Sequence, residues 1–195
     1  KTQNFGELVC SNSFGSFNLT SAPGQLKWEA ESLGSLVIEA AWQARVPAGQ
    51  SLSMDRLAFS GYITEKIRNH PRIRVENKLV ENLESVPRPT VIATGPLTHE
   101  SLAKSMQAHF GDEFLYFFDA IAPIIDADSI NQKIAWKGDR WGKGTNDYFN
   151  CPLNKREYHF FIEAIQAAKK VEPKEFEKDT PYFESCMPIE AMVER

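Results

Sequence analysis

The chain has 195 residues, a net charge of −4, 42% hydrophobic and 25% charged side chains, the balance of an ordinary globular chain with room for one compact domain or two small ones. No apolar run approaches the ~20 residues of a membrane span, and the opening KTQNFGELV lacks the apolar segment of a signal peptide. The acidic balance supplies no global field for nucleic acid, so any RNA-binding surface must be a local patch.

In chain order, residues 22–44 are predicted as one helix, with Leu26, Ala30, Leu33, Val37, Ala40, Ala41 and Ala44 near the helical period. VPAG ends it. Asp55 is the expected N-cap of a second helix reaching Asn69, where Pro71 stops it. RIRV (72–75) reads as a short strand, and PTVIATGP (89–96) as a buried strand ending in a glycine turn. Thr98 is the expected cap of a third helix carrying Leu102, Met106 and Phe110, with Gly111 past its end. FLYFFDA (114–120) is a predicted buried strand. KIAWK and DYFNC are expected to pair around the loop GDRWGKGTN. A last long helix is expected over 155–170, with Asn154 and Glu157 at capping-box spacing and an apolar stripe of Tyr158, Phe161, Ile162 and Ile165. The tail reads as a charged linker before a short apolar motif. This order predicts an α/β or α+β fold. No strand–GxGxxG–helix unit opens the chain, which reads as though something preceded it.

The three cysteines, Cys10, Cys151 and Cys186, form no CxxC pair and have no histidine at zinc-ligand spacing. That pattern argues against a structural zinc site and, with an odd count, for free thiols in a reducing compartment. Taken alone, any one of them is a small buried hydrophobe. The loop WKGDRWGKG carries Lys137, Arg140 and Lys143 among Trp136 and Trp141. Cations neutralise phosphates and aromatic rings stack on splayed bases, so this loop is the RNA-facing candidate; the alternative is a solvated hairpin tip whose tryptophans fold inward. RNHPRIR (68–74) is basic too, but reads as a solvated helix end, and His99 and His109 as helix-surface residues.

Several stretches resemble one family when taken together and in order: ELVCSNSF (7–14), LGSL (33–36), RVPAG (45–49), VIATGPLT (91–98), LYFFDAIAPI (115–124), GKG with DYFNCPL (142–153) and FESCMPIE (183–190). The chain resembles the TrmFO family of folate- and FAD-dependent tRNA (uracil-5-)-methyltransferases, relatives of the GidA flavoproteins. It departs from the family pattern at Gly15, where an Arg is usual, and at Gln50 and Ser185, where Gly is usual.

The resemblance implies an α/β fold: part of a Rossmann-like FAD-binding domain over 1–97, without its GxGxxG unit, then an α+β insertion domain over 98–195. It implies a cytoplasmic enzyme that makes 5-methyluridine in the tRNA T-loop. Methylenetetrahydrofolate would be the carbon donor, FAD the carrier of the one-carbon unit, and NAD(P)H the reductant. Uracil C5 is a poor nucleophile, and a thiolate adding at C6 makes it an enolate-like carbon; a second group must then remove the C5 proton. The resemblance makes Cys186 the nucleophile and Cys10 its partner near the flavin, and the reverse assignment uses the same two thiols. Cys151 is read as structural. Thr94 and Gly95 are expected near the dinucleotide, Gly95 letting the backbone approach a ligand. Two other readings remain: a non-catalytic RNA-binding or insertion module, and a flavin-dependent rRNA uridine methyltransferase.

Overall fold

The computed structural model describes residues 2–9, 11–95, 98–111, 125–139, 142, 144–170 and 189–194. They form a mixed α/β architecture with small antiparallel sheets. The chain divides into two compact units, one of residues 1–74 and 121–163, the other of 75–120 and 164–195.

The first unit is built on a three-stranded antiparallel sheet in the order β1-β3-β2, comprising β1 (Ser13–Ser16), β2 (Arg45–Val46) and β3 (Ser51–Met54). In the central strand Leu52 and Met54 are fully buried. They pack with Ala40 and Ala41 of helix α2 (Leu36–Gln43), with its C-cap Ala44, and with Phe59 and Ile63 of helix α3 (Arg56–Arg68). Phe14 closes the core edge-on against Phe59, ring centroids 5.7 Å apart.

The expected single helix over 22–44 is two. Helix α1 (Ala22–Ser32) stops before Gly34, whose φ of 74° no helix accommodates and few side chains adopt. Ser35 then caps α2 by accepting from the Ile38 N–H. The break resets the helical phase, so the expected stripe on α1 is not its buried face: Leu26 and Leu33 are 67% and 88% exposed, while Gly24 and Lys27 are buried. The Lys27 ammonium donates to the carbonyls of Ser16 and Pro23, each at 2.9 Å, which ties α1 to β1. Burial pulls its pKa below the ordinary lysine value.

Helix α3 follows expectation, with Asp55 accepting from the Ala58 N–H and Asn69 as its C-cap. Segment 2–9 lies along it. Phe5 N–H donates to Thr64 Oγ1 at 2.8 Å, and Arg56 Nη1 donates to the Leu8 carbonyl at 3.2 Å. The hairpin of β4 (Trp136–Lys137) and β5 (Phe149–Asn150) forms as expected, pairing Trp136 with Asn150 and Lys137 with Phe149. Helix α5 (Lys155–Ala167) carries the expected reciprocal cap: Asn154 Oδ1 accepts from Glu157 N–H, and Glu157 Oε2 from Asn154 N–H. None of its residues is buried.

In the second unit, helix α4 (Glu100–Phe110) buries Leu102 and Met106, and its N-cap is His99 rather than Thr98. RIRV and residues 89–95 are not strands. They are extended or turning backbone with no ladder partner among the described residues, and Val91 is 89% exposed instead of buried. The short helix α6 (Ile189–Val193) is held through its Val193 carbonyl, which accepts from Gln166, and through a Lys170–Glu194 ion pair. The expected strand over 114–120 lies outside the described residues. No described helix is long and apolar enough to cross a membrane.

Candidate functional site: an uncharged cleft beneath the hairpin

Two aspartates organise the hairpin loop. Asp139 accepts from the backbone N–H groups of Asn146 and Asp147, the latter at 3.2 Å, and so closes the turn. Asp147 then reaches out of the hairpin: its Oδ2 accepts from the Gly49 N–H at 2.6 Å, while Thr145 Oγ1 donates to both its oxygens at 2.8 Å. These bonds, the Gly49 one foremost, hold the Asp147 carboxyl below its ordinary pKa, and the positive charges of Arg45 and Lys137 add to the effect. Next along the chain, the Tyr148 hydroxyl donates to the Ala48 carbonyl at 2.8 Å. The VPAGQ turn is also held from β1, since Phe17 N–H donates to the Gln50 carbonyl at 3.0 Å.

Two of the quoted motifs, RVPAG and DYFNCPL, therefore meet, with the end of β1 beside them. Between them lies a cleft of about 540 Å³, walled by Ser16 of β1, by Gly49, Gln50 and Ser51 of the turn into β3, and by Gly138, Tyr148 and Asn150 of the hairpin. The side chains that line it are uncharged, and most of its surface is apolar. Asn150 Nδ2 donates to the Gly138 carbonyl at 3.0 Å. Trp136, 54% exposed, lies beside Gly138 on the same face: a Cβ built on that glycine would be 3.2 Å from Asn150 Nδ2 and 3.5 Å from the indole. None of the seven lining residues is a carboxylate, a cationic base or a thiol. Among the described residues no cluster of His, Cys, Asp or Glu could hold a metal ion.

Of the residues expected from sequence, Lys137 is exposed on β4 with its Nζ 5.5 Å from the Phe149 ring centroid. Its loop companions Arg140, Trp141 and Lys143 lie outside the described residues, as do Cys10 and Cys186. The residues flanking Cys10 are well tied: Leu8 by Arg56, and Asn12 by reciprocal bonds with Met54 at 2.9 and 3.0 Å. Cys151 is an exposed free thiol, which corrects its reading as a small buried side chain. Thr94 and Gly95 sit on an exposed turn in the second unit. Thr98 Oγ1 donates to the Gly95 carbonyl at 2.7 Å and lies 2.6 Å from Thr94 Oγ1. Gly95 has φ 71° and open space where a side chain would point, so the turn's conformation is what requires glycine there.

The sequence reading missed Asp147, Tyr148 and Asn150 as site-building residues. The only local signal was the polar run GTND before a short strand, a turn composition with no indication of its distant partner.

The family model described as glucose inhibited division protein A matches residues 1–195. Over the whole chain, identity is 66% to the methylenetetrahydrofolate–tRNA-(uracil-5-)-methyltransferase TrmFO of Bdellovibrio bacteriovorus. It is 51% to the TrmFO of Aquifex aeolicus and 48% to that of Persephonella marina. The chain spans 44%, 43% and 44% of those proteins' lengths, respectively. With the match running from end to end, the chain belongs to the glucose inhibited division protein A family.

Proposed function

We propose that this chain is part of a folate- and FAD-dependent enzyme that methylates uracil C5 in tRNA, forming 5-methyluridine in the T-loop. The observation that carries this reading is the 66% identity to a TrmFO over all 195 residues. The whole protein is cytoplasmic and takes its one-carbon unit from methylenetetrahydrofolate and its reducing equivalents from NAD(P)H by way of FAD. Residues 1–97 contribute to a Rossmann-like FAD-binding domain and 98–195 to an α+β insertion.

The described residues do not by themselves fit FAD. A pyrophosphate needs an open helix N-terminus or a glycine-rich cradle. Here Ser21, Ser35, Asp55 and His99 close the first turns of α1 to α4 with their own side chains, and Asn154 does so for α5. Thr94 and Gly95 are the positions in this chain proposed to face the dinucleotide.

The chain's own share of the chemistry lies in its thiols. Cys186 as thiolate adds to C6, and C5 gains the electron pair and attacks the folate-derived one-carbon unit, whose bond to its carrier breaks; the two electrons that take that unit to a methyl group would come from the reduced cofactor. Cys10 removes the C5 proton, and the C6–S bond breaks to return the thiolate. Lys137, Arg140, Lys143 and Trp141 hold the RNA by charge and stacking. The test is nucleoside analysis of tRNA after incubation of the whole protein with methylenetetrahydrofolate, FAD and NADPH. The reading predicts 5-methyluridine that depends on the folate; an absence of 5-methyluridine overturns it.

A further inference from the structure

Helix α1 packs the wrong way round for a surface helix. Its buried side carries Gly24 and Lys27, the one cation of the helix, whose ammonium donates to the Ser16 and Pro23 carbonyls. Its apolar side faces outward. Pro23, Leu26, Ala30 and Leu33 follow at the three- and four-residue spacing that lines side chains along one side of a helix. Leu26 is 67% and Leu33 88% exposed, Pro23 is exposed and Ala30 half-buried. A helix at a finished protein surface does the reverse, packing its apolar stripe and solvating its polar face. Neighbouring exposed apolar side chains of this kind mark an interaction surface.

Charge and chain length identify what covers it. Glu29 stands three residues after Leu26 and four before Leu33, at the edge of the stripe. Its carboxylate accepts from the Gln25 amide at 3.4 Å and forms no ion pair with a described residue. RNA does not fit this face, because its phosphates would meet a carboxylate and apolar surface with no cation to neutralise them. A second copy fits poorly: two-fold pairing of the stripe with itself sets Glu29 against the other Glu29. More than half the length of each matched relative lies outside the region that this chain spans. The whole protein therefore has polypeptide with which to cover the stripe.

We infer that the Pro23–Leu26–Ala30–Leu33 side of α1 is an internal interface of the whole protein, covered by polypeptide outside this chain that presents an apolar face and sets a Lys or Arg against Glu29. The inference uses the chain's place in a longer protein and none of the methylation chemistry, so the two readings fail separately.

The experiment is hydroxyl-radical footprinting of the whole protein, read by mass spectrometry at Leu26 and Leu33 and compared with the unfolded protein. Leu52, fully buried in β3, is the standard for a covered leucine. Leu26 and Leu33 are expected to be protected as strongly as Leu52, and to stay so on dilution. Reactivity equal to that of the unfolded protein overturns the inference. Protection that disappears on dilution also overturns it and assigns the stripe to a second copy. The occupant is identified with p-benzoylphenylalanine in place of Leu33. Irradiation is expected to link it to a peptide of the same molecule outside residues 1–195. A link within 1–195, a link between two molecules, or no link overturns the inference. Glu29→Lys, which leaves the apolar stripe in place, is expected to lower the melting temperature of the whole protein by setting like charges together; an unchanged melting temperature overturns the basic partner assigned to Glu29.

Discussion

Asp147 accepts a 2.6 Å hydrogen bond from the Gly49 backbone N–H, joining positions 98 residues apart in the chain. This bond fastens the β4–β5 hairpin to the VPAGQ turn and sets the width of the cleft between them. Asp147→Ala removes the acceptor for Gly49 and for Thr145 together. Faster hydrogen exchange at the Gly49 amide is expected, with exchange in the α3 core unchanged. The clasp also has a pH signature. The folded-state carboxyl titrates below its ordinary 3.8, so its contribution is fully present above that value. It is lost as pH falls through the depressed folded pKa. Gly49 protection should persist down to the ordinary carboxylate range and collapse only below it; loss near neutrality contradicts this assignment.

The packing of α1 makes a paired prediction. A methyl group on Gly24 would lie 1.9 Å from the Asn18 carbonyl oxygen, a backbone atom that does not move aside cheaply. Gly24→Ala is expected to cost about 1–3 kcal/mol as an overpacking change. Gly61, inside α3, has nothing within 4 Å of the same position. Gly61→Ala should stabilise by about 0.5–1 kcal/mol through helix propensity. Denaturant titration of both variants checks the pair, and equal effects contradict the packing described.

Cys151 is exposed, so Cys151→Ala should change stability by no more than about 0.5 kcal/mol. The native chain's Cys151 should be alkylated readily by iodoacetamide. Slow alkylation, or a large loss of stability, means that this thiol is packed.

Replacing Lys137, Arg140 and Lys143 together with Ala should weaken tRNA binding and flatten its salt dependence. The slope is expected to change by about 0.7–0.9 for each phosphate that the variant no longer neutralises. Binding measured across a range of salt concentrations distinguishes this from a hairpin that faces solvent, for which affinity and slope stay as they were.

What was legible in the sequence followed the range of the interaction. Asp55 and the Asn154–Glu157 pair cap helices that begin one residue later, so α3 and α5 could be read locally. The split at Gly34 is local too, but the apolar period ran on through it and concealed the phase reset. Strands β1 and β3, SFGS and SLSM, carry little intrinsic strand preference and exist because they pair with each other across almost forty residues. RIRV and TVIAT have the composition of strands, yet a strand needs a ladder partner, and no described residue supplies one. The site shows the same division. The motifs that surround the cleft were visible, whereas the clasp that brings them together depends on a carboxylate and a backbone N–H that neither motif reveals alone.

The central claim is that a thiol of this chain attacks uracil C6, and covalent trapping tests it most directly. The whole protein is mixed with its cofactors and tRNA carrying 5-fluorouracil at the target position, and the products are resolved by denaturing gel and mass spectrometry. Fluorine is not removed as the C5 proton is, so the thiolate stays bonded. The account predicts an adduct mapped to Cys186 that is absent in Cys186→Ala, with turnover lost in Cys10→Ala. An adduct that survives Cys186→Ala and vanishes in Cys10→Ala exchanges the two roles. An adduct that persists in both single variants contradicts the two-thiol account.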